Sequence, residues 1–194
     1  MGLMRTQTAP NLAADRLGRR GRRWRHVQRV GRLAESLDVR GLVSAEVLAA
    51  AWLHDVGYGP SVARTGFHPL DGARFLQEQG VSAEVVALVA HHTGARFEAE
   101  ERGLLDELET LPSPPPEDLD ALTLIDLVVG PTGELTTPGR RIEEILTRYG
   151  SGDPVHRAVT RSRSSLLDSA ARARSRLGLS DEWPLAPGQG VLKA

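Results

Sequence analysis

Two apolar helical runs in this chain end the same way, and that ending constrains the fold more than any other feature. Ala49-Ala50-Ala51-Trp52-Leu53 runs into His54-Asp55 and then Gly57 and Gly59. Val85-Val86-Ala87-Leu88-Val89-Ala90 runs into His91-His92-Thr93-Gly94. Runs this apolar read as buried, so their last polar residues are pushed toward the interior. A carboxylate at a helix C-terminus also meets partial negative charge. Buried, it needs a partner, and a metal cation is one that repays the cost. Neighbouring helical residues do not face one target, so a glycine that ends the helix is what lets His54 and Asp55 converge.

The rest of the chain supplies more residues of the same kind. Val30, Leu33 and Leu37 form an apolar stripe at helical spacing, with His26 on it. His68-Pro69 opens a helix, with proline where its missing N–H costs nothing. Asp126 stands in Leu122-Thr123-Leu124-Ile125-Asp126-Leu127-Val128-Val129, flanked on both sides by apolar residues. An unpaired carboxylate there is costly, and a metal ligand explains it. A salt bridge to an arginine is the alternative.

Length and composition suit a helical domain. The 194 residues allow one domain with a sizeable core. Aromatics are only 4%, so the core is mostly Leu, Val and Ala, which favours helix over sheet. Cysteine is absent, which excludes thiolate ligands and disulfides. No stretch reads as a signal h-region or a membrane span, so a cytoplasmic location is expected. Residues 1–40 hold ten Arg against three acids, whereas residues 95–126 hold ten acids against two Arg. The basic start reads as a solvated arm and first helix turn, with no aromatic interleaving that marks a nucleic-acid site, so no nucleic-acid partner is expected.

In order, residues 1–20 read as a flexible segment and residues 21–178 as the helical domain. Helices are expected from Arg22 or Trp24, from Ala45 to Asp55 behind a Ser44 cap, from His68 to Gly80, and from Ser82 to the paired histidines. An acidic helix over Arg102–Leu111, a stiff Pro-rich connector, a helix from Glu117, one over Arg140–Tyr149 and one over Pro154–Leu177 follow. Residues 179–194 read as a tail, and His156 as a surface residue.

The ordered set His26, His54-Asp55, His68, His91-His92 and Asp126 resembles the HD-domain superfamily of metal-dependent phosphohydrolases, over roughly residues 22–150. His26, His54, Asp55 and Asp126 match its core H…HD…D pattern. His68-Pro69-x-x-Gly72 and His91-His92 resemble the extra ligands of its binuclear members. The resemblance implies an all-α helical bundle with the site in its middle. Members that cut cyclic dinucleotides often carry Lys after HD-x-Gly, where this chain has Tyr58, and a Gly-Tyr-Pro segment, where it has Thr93-Gly94-Ala95. The Glu-Asp pair of guanosine-alarmone hydrolases is missing, while His68…Gly72-Ala73 and His92-Thr93-Gly94 resemble features of a dinucleoside-tetraphosphate hydrolase group.

Read this way, His26, His54, Asp55 and Asp126 hold a first divalent transition metal (Mn, Fe, Ni, Co or Zn). His68, His91 and His92 hold a second, with Asp55 bridging. His54 and Asp55 sit at the reacting centre, where metal-activated hydroxide attacks phosphorus. Arg64 and Arg96 are the expected clamps for a small phosphorylated, nucleotide-like substrate. Two other readings share this ligand set: a di-iron oxygenase, and a metal-binding regulatory module without turnover.

Overall fold

A computed structural model describes residues 9–185. Its helices are α1 (Ala9–Leu17), α2 (Arg22–Asp38), α3 (Ala45–Leu53), α4 (His68–Glu78), α5 (Ala83–His91), α6 (Ala95–Arg102), α7 (Leu105–Glu109), α8 (Pro116–Leu127), α9 (Pro138–Arg148) and α10 (Pro154–Arg176). Single 3-10 turns follow α3 at Val56–Tyr58 and α5 at His92–Gly94. Among the described residues there is no β-strand, and the all-α expectation holds; one isolated antiparallel bridge joins Val129 to Leu135. No described helix is long and apolar enough to cross a membrane.

The helix starts follow local chemistry. Ser44 and Ser82 accept hydrogen bonds from the Val47 and Val85 backbone N–H groups, as their positions predict. Thr137 and Asp153 cap α9 and α10 in the same manner. Each such cap contributes about 1 kcal/mol by satisfying a donor the helix leaves open.

Helix α3 is the centre of the packing. Val47 through Leu53 are all buried, because α1, α2, α5 and α8 surround it. Such a helix needs no polar face, and it delivers His54 into the middle of the molecule. In α8, the eight residues Asp120 to Leu127 are all buried, covered on one side by α10. Close helix contact depends on glycine at Gly31, where a Cβ would lie 2.3 Å from the Trp52 ring.

Several expectations need correction. Over Ala9–Leu17 the lead-in is not a flexible segment but helix α1, which buries Ala9, Ala13 and Ala14 against α2 and α3. Small residues make that contact, so no strong apolar stripe announces it. Residues 1–8 lie outside the described residues. The acidic stretch begins its helix earlier, at Ala95, and is broken at Gly103 (φ 69°) into α6 and α7. The tail reading fails for Leu179 and Trp183, which are buried in the core; residues 186–194 lie outside the described residues.

Candidate metal centre

The sequence's repeated ending has a shared local geometry. Histidine follows the last turn of α3 and of α5, where backbone carbonyls lack helical partners. His54 Nδ1 donates to the Ala51 carbonyl at 3.0 Å, and His92 Nδ1 donates to the Val89 carbonyl at 2.7 Å. Each ring thereby closes its own helix end and turns Nε2 forward. His26, on the inner face of α2, is tied similarly, its Nδ1 3.1 Å from the Gly130 carbonyl beyond α8. A carbonyl can only accept, so these contacts place the proton on Nδ1 and leave Nε2 with its lone pair.

Those lone pairs converge. His26 Nε2 lies 3.2 Å from His54 Nε2 and 3.0 Å from Asp126 Oδ1. His68 Nε2, from the first residue of α4, lies 3.2 Å from His92 Nε2. Asp55 stands between the two pairs, with Oδ2 3.5 Å from His54 Nε2 and Oδ1 3.3 Å from His68 Nε2. Two sets that could each hold a metal ion result, His26–His54–Asp126 and Asp55–His68–His92. Neutral imidazoles and carboxylates at these separations repel unless a cation or an added proton lies between them. Nitrogen and oxygen donors without sulfur fit a divalent transition metal.

Charge states favour the cation. Burial pushes the His54 imidazole down to about 4. His68 is held well below the ordinary histidine value by the same cause, with Asp55 opposing. Burial works against ionising Asp55, but Arg23 and the surrounding histidines outweigh it and hold the carboxyl well below its usual range. Asp126 is likewise held low despite burial, by a hydrogen bond from His26 and the charge of His54 when those rings carry a proton on Nε2, the position a cation would take. Neutral rings beside ionised carboxylates are the forms that bind metal.

A second ring of contacts fixes the donors. Arg23 Nη1 donates to Asp55 Oδ2 at 2.7 Å, and its guanidinium lies 3.9 Å from the Tyr58 ring centroid. Tyr58 in turn stacks on His68, with ring centroids 4.0 Å apart and an interplanar angle of 18°. Thr93 Oγ1 donates to Asp126 Oδ2 at 2.5 Å, from a backbone at φ 46° and ψ 46°. That left-handed conformation is strained for a β-branched residue, and strain of this kind is retained where the surroundings enforce it. Gly57 acts by size. A Cβ there would sit 2.0 Å from the His68 carbonyl oxygen, so glycine brings the turn after Asp55 against the start of α4.

The expected site residues divide clearly. His26, His54, Asp55, His68, His92 and Asp126 are together. His91, expected beside them, is not: it is the last residue of α5, faces the backbone of Leu111 and Pro112, and keeps a buried Nε2 without a hydrogen-bond partner. The chain leaves the helix at His92 (ψ 149°), so the two rings part. Arg64 is exposed and paired with Glu78; Arg96 is exposed and paired with Glu100 and Glu109. Neither lines the cleft above the donors. Arg23, Arg141 and Arg148 line it instead, with Tyr149 and Glu98. Sequence reading missed these because Arg23 sits in an arginine-rich stretch and α9 follows a Pro-Gly loop far along the chain. The step of Arg23 three residues before His26, on the same helix face, was the available signal.

A family model described as HD domain matches residues 23–128. That segment runs from the arginine touching Asp55 to just past Asp126 and holds all six converging donors. Neither a curated protein nor a solved structure matches the chain.

Proposed function

The chain belongs to the HD-domain family, and on that premise we propose that it hydrolyses a small phosphorylated, nucleotide-like substrate with the help of one or two divalent metal ions. The observation that supports this most is the facing of bare imidazole nitrogens, His26 Nε2 on His54 Nε2, both locked by backbone carbonyls. His26, His54 and Asp126 would hold one ion, His68 and His92 the other, with Asp55 shared. A bound divalent cation supplies Lewis acidity, lowering the pKa of water and offsetting charge on phosphoryl oxygens.

The chain's own groups do the rest. Arg23 fixes Asp55 and keeps it ionised, and Thr93 does the positional part of this for Asp126. Arg141 and Arg148 on α9 line the cleft with Arg23, and although both pair with Glu144 there, unlike Arg64 and Arg96 they stand where a phosphate entering from that side could compete for their guanidinium groups. Ile145, Val155, Val159 and Leu166 give the cleft an apolar wall that limits water.

The test is metal analysis of purified protein, then chromatographic detection of hydrolysis products from nucleoside phosphates and phosphodiesters with added Mn. Metal-dependent hydrolysis of at least one substrate, to free phosphate from a monoester or to a monoester from a diester, is expected. Metal-replete protein that consumes oxygen and hydrolyses none of them would contradict the reading.

A further inference from the structure

The arginines of this chain fall into two populations. Arg64, Arg74, Arg102, Arg157, Arg163 and Arg172 each pair with a carboxylate. The acidic segment is therefore largely neutralised within the molecule. By contrast Arg22, Arg25, Arg29 and Arg32 on α2 are all exposed and form no ion pair among the described residues, Arg29 using its Nε on the Gly133 carbonyl at 3.1 Å and keeping its two Nη groups for other partners. Arg19 and Arg20, just before the helix, are exposed and unpaired too.

Helical geometry aligns them. At 100° per residue, positions 22, 25, 29 and 32 fall within an arc of about 80°, and they span about 15 Å of axis. Trp24, Val27, Gly31 and Ala34 face the other way, into the core, with His26, Val30, Leu33 and Leu37 buried in the sector between. The two acids of the helix, Glu35 and Asp38, stand off the stripe, and Glu35 accepts from Trp52 Nε1. The result is a row of arginines along one helix with no acid and no apolar residue among them.

We propose that this outward face of α2 docks on the phosphodiester backbone of double-stranded nucleic acid, against the expectation drawn from the missing aromatic residues, since contacts to a duplex backbone need only cations. A rod of like charges fits a rod-like polyanion, and guanidinium groups bind phosphate oxygens in pairs. Anionic lipid fits less well, because the stripe offers nothing apolar to insert. A second copy of the chain fits less well, because its acidic segment is already paired with its own arginines. The surface is separate from the metal centre, which opens from the inner side of the same helix.

The test is fluorescence anisotropy of full-length protein with labelled 20-base-pair DNA and RNA duplexes, from 50 to 200 mM salt. Four phosphate contacts predict a log–log slope of about −3.6 and a loss of affinity of about 100-fold over that range. The triple variant Arg22→Ala/Arg25→Ala/Arg32→Ala should flatten the slope by about 2.7. Arg19→Ala/Arg20→Ala, outside the helix, gives a second variant with an independent reduction. The two duplexes distinguish DNA from RNA as the source of the backbone. No binding to either duplex at 50 mM salt, an unchanged slope in the α2 triple variant whatever the second variant shows, or tighter binding to phosphatidylserine vesicles or polyglutamate would each overturn the proposal. None of these readings depends on phosphate release, so its failure is distinguishable from that of the hydrolase reading.

Discussion

His26 and His54 present Nε2 atoms to one another across 3.2 Å, each with its Nδ1 turned to a backbone carbonyl. Two helices far apart in sequence are thereby committed to one point in space. If that point is a metal site, truncating a donor removes the ion. His54→Ala and Asp126→Ala should each lower bound metal at the first position severely and reduce phosphate release by more than about 100-fold. Metal analysis beside the hydrolysis assay checks this, and either variant with full metal content and normal turnover would contradict the assignment.

Arg23 acts through Asp55. Its guanidinium occupies Oδ2 and leaves Oδ1 toward His68. Arg23→Met should keep the fold and weaken metal affinity by about 10- to 100-fold, as loss of a group supporting a ligand does. A calorimetric metal titration reads it; an unchanged affinity would leave Arg23 without that role.

Gly57 is held by space. Gly57→Ala places a Cβ 2.0 Å from the His68 carbonyl oxygen, and backbone must move. Overpacking of this kind costs about 1–3 kcal/mol or more, a drop of roughly 2–12 °C in Tm for a chain of this size. At Gly139, in the first turn of α9, an added Cβ meets nothing within 4 Å. Gly139→Ala should leave Tm unchanged or raise it slightly. Equal behaviour of the two variants would remove the argument from close approach.

The metal-free protein should lose stability as acid is added. His54 has a folded pKa of about 4 against an ordinary 6.5, so between those values the unfolded chain binds more protons. Its contribution is complete above pH 6.5 and is lost as pH falls toward 4, on the order of 3 kcal/mol. His68 moves the same way. Asp55 and Asp126, held low when folded, extend the loss below the ordinary carboxylate range. Denaturant midpoints of chelator-treated protein at pH 7, 5.5 and 4.5 should decrease in that order, and the decrease should be smaller in His54→Gln. A flat profile would contradict it.

How much was legible follows from these residues. His54 and His92 were readable because each sits where an apolar helix stops, and the same helix end supplies the carbonyl that orients the ring. Asp126 was readable because its neighbours are apolar. His91 shares all of His92's sequence signals, and only the change in backbone direction at His92 separates them. Nearness in sequence to ligands singles out Arg64 and Arg96, yet both lie away from the cleft, paired with acids on the surface. The cleft's own arginines come from α9 and from the front of α2, which sequence distance concealed. Helix α1 escaped because alanines make its contact, and Trp183 because one aromatic among glycines and prolines gives no periodicity.

The presence of cations at the convergence of these donors is tested directly by anomalous scattering from crystals grown with MnCl2. We expect one peak among His26 Nε2, His54 Nε2 and Asp126 Oδ1, and at high occupancy a second among Asp55, His68 and His92. Density showing the six side chains in place with no anomalous peak between them, or Mn bound only elsewhere, such as at His91 or His156, would contradict it.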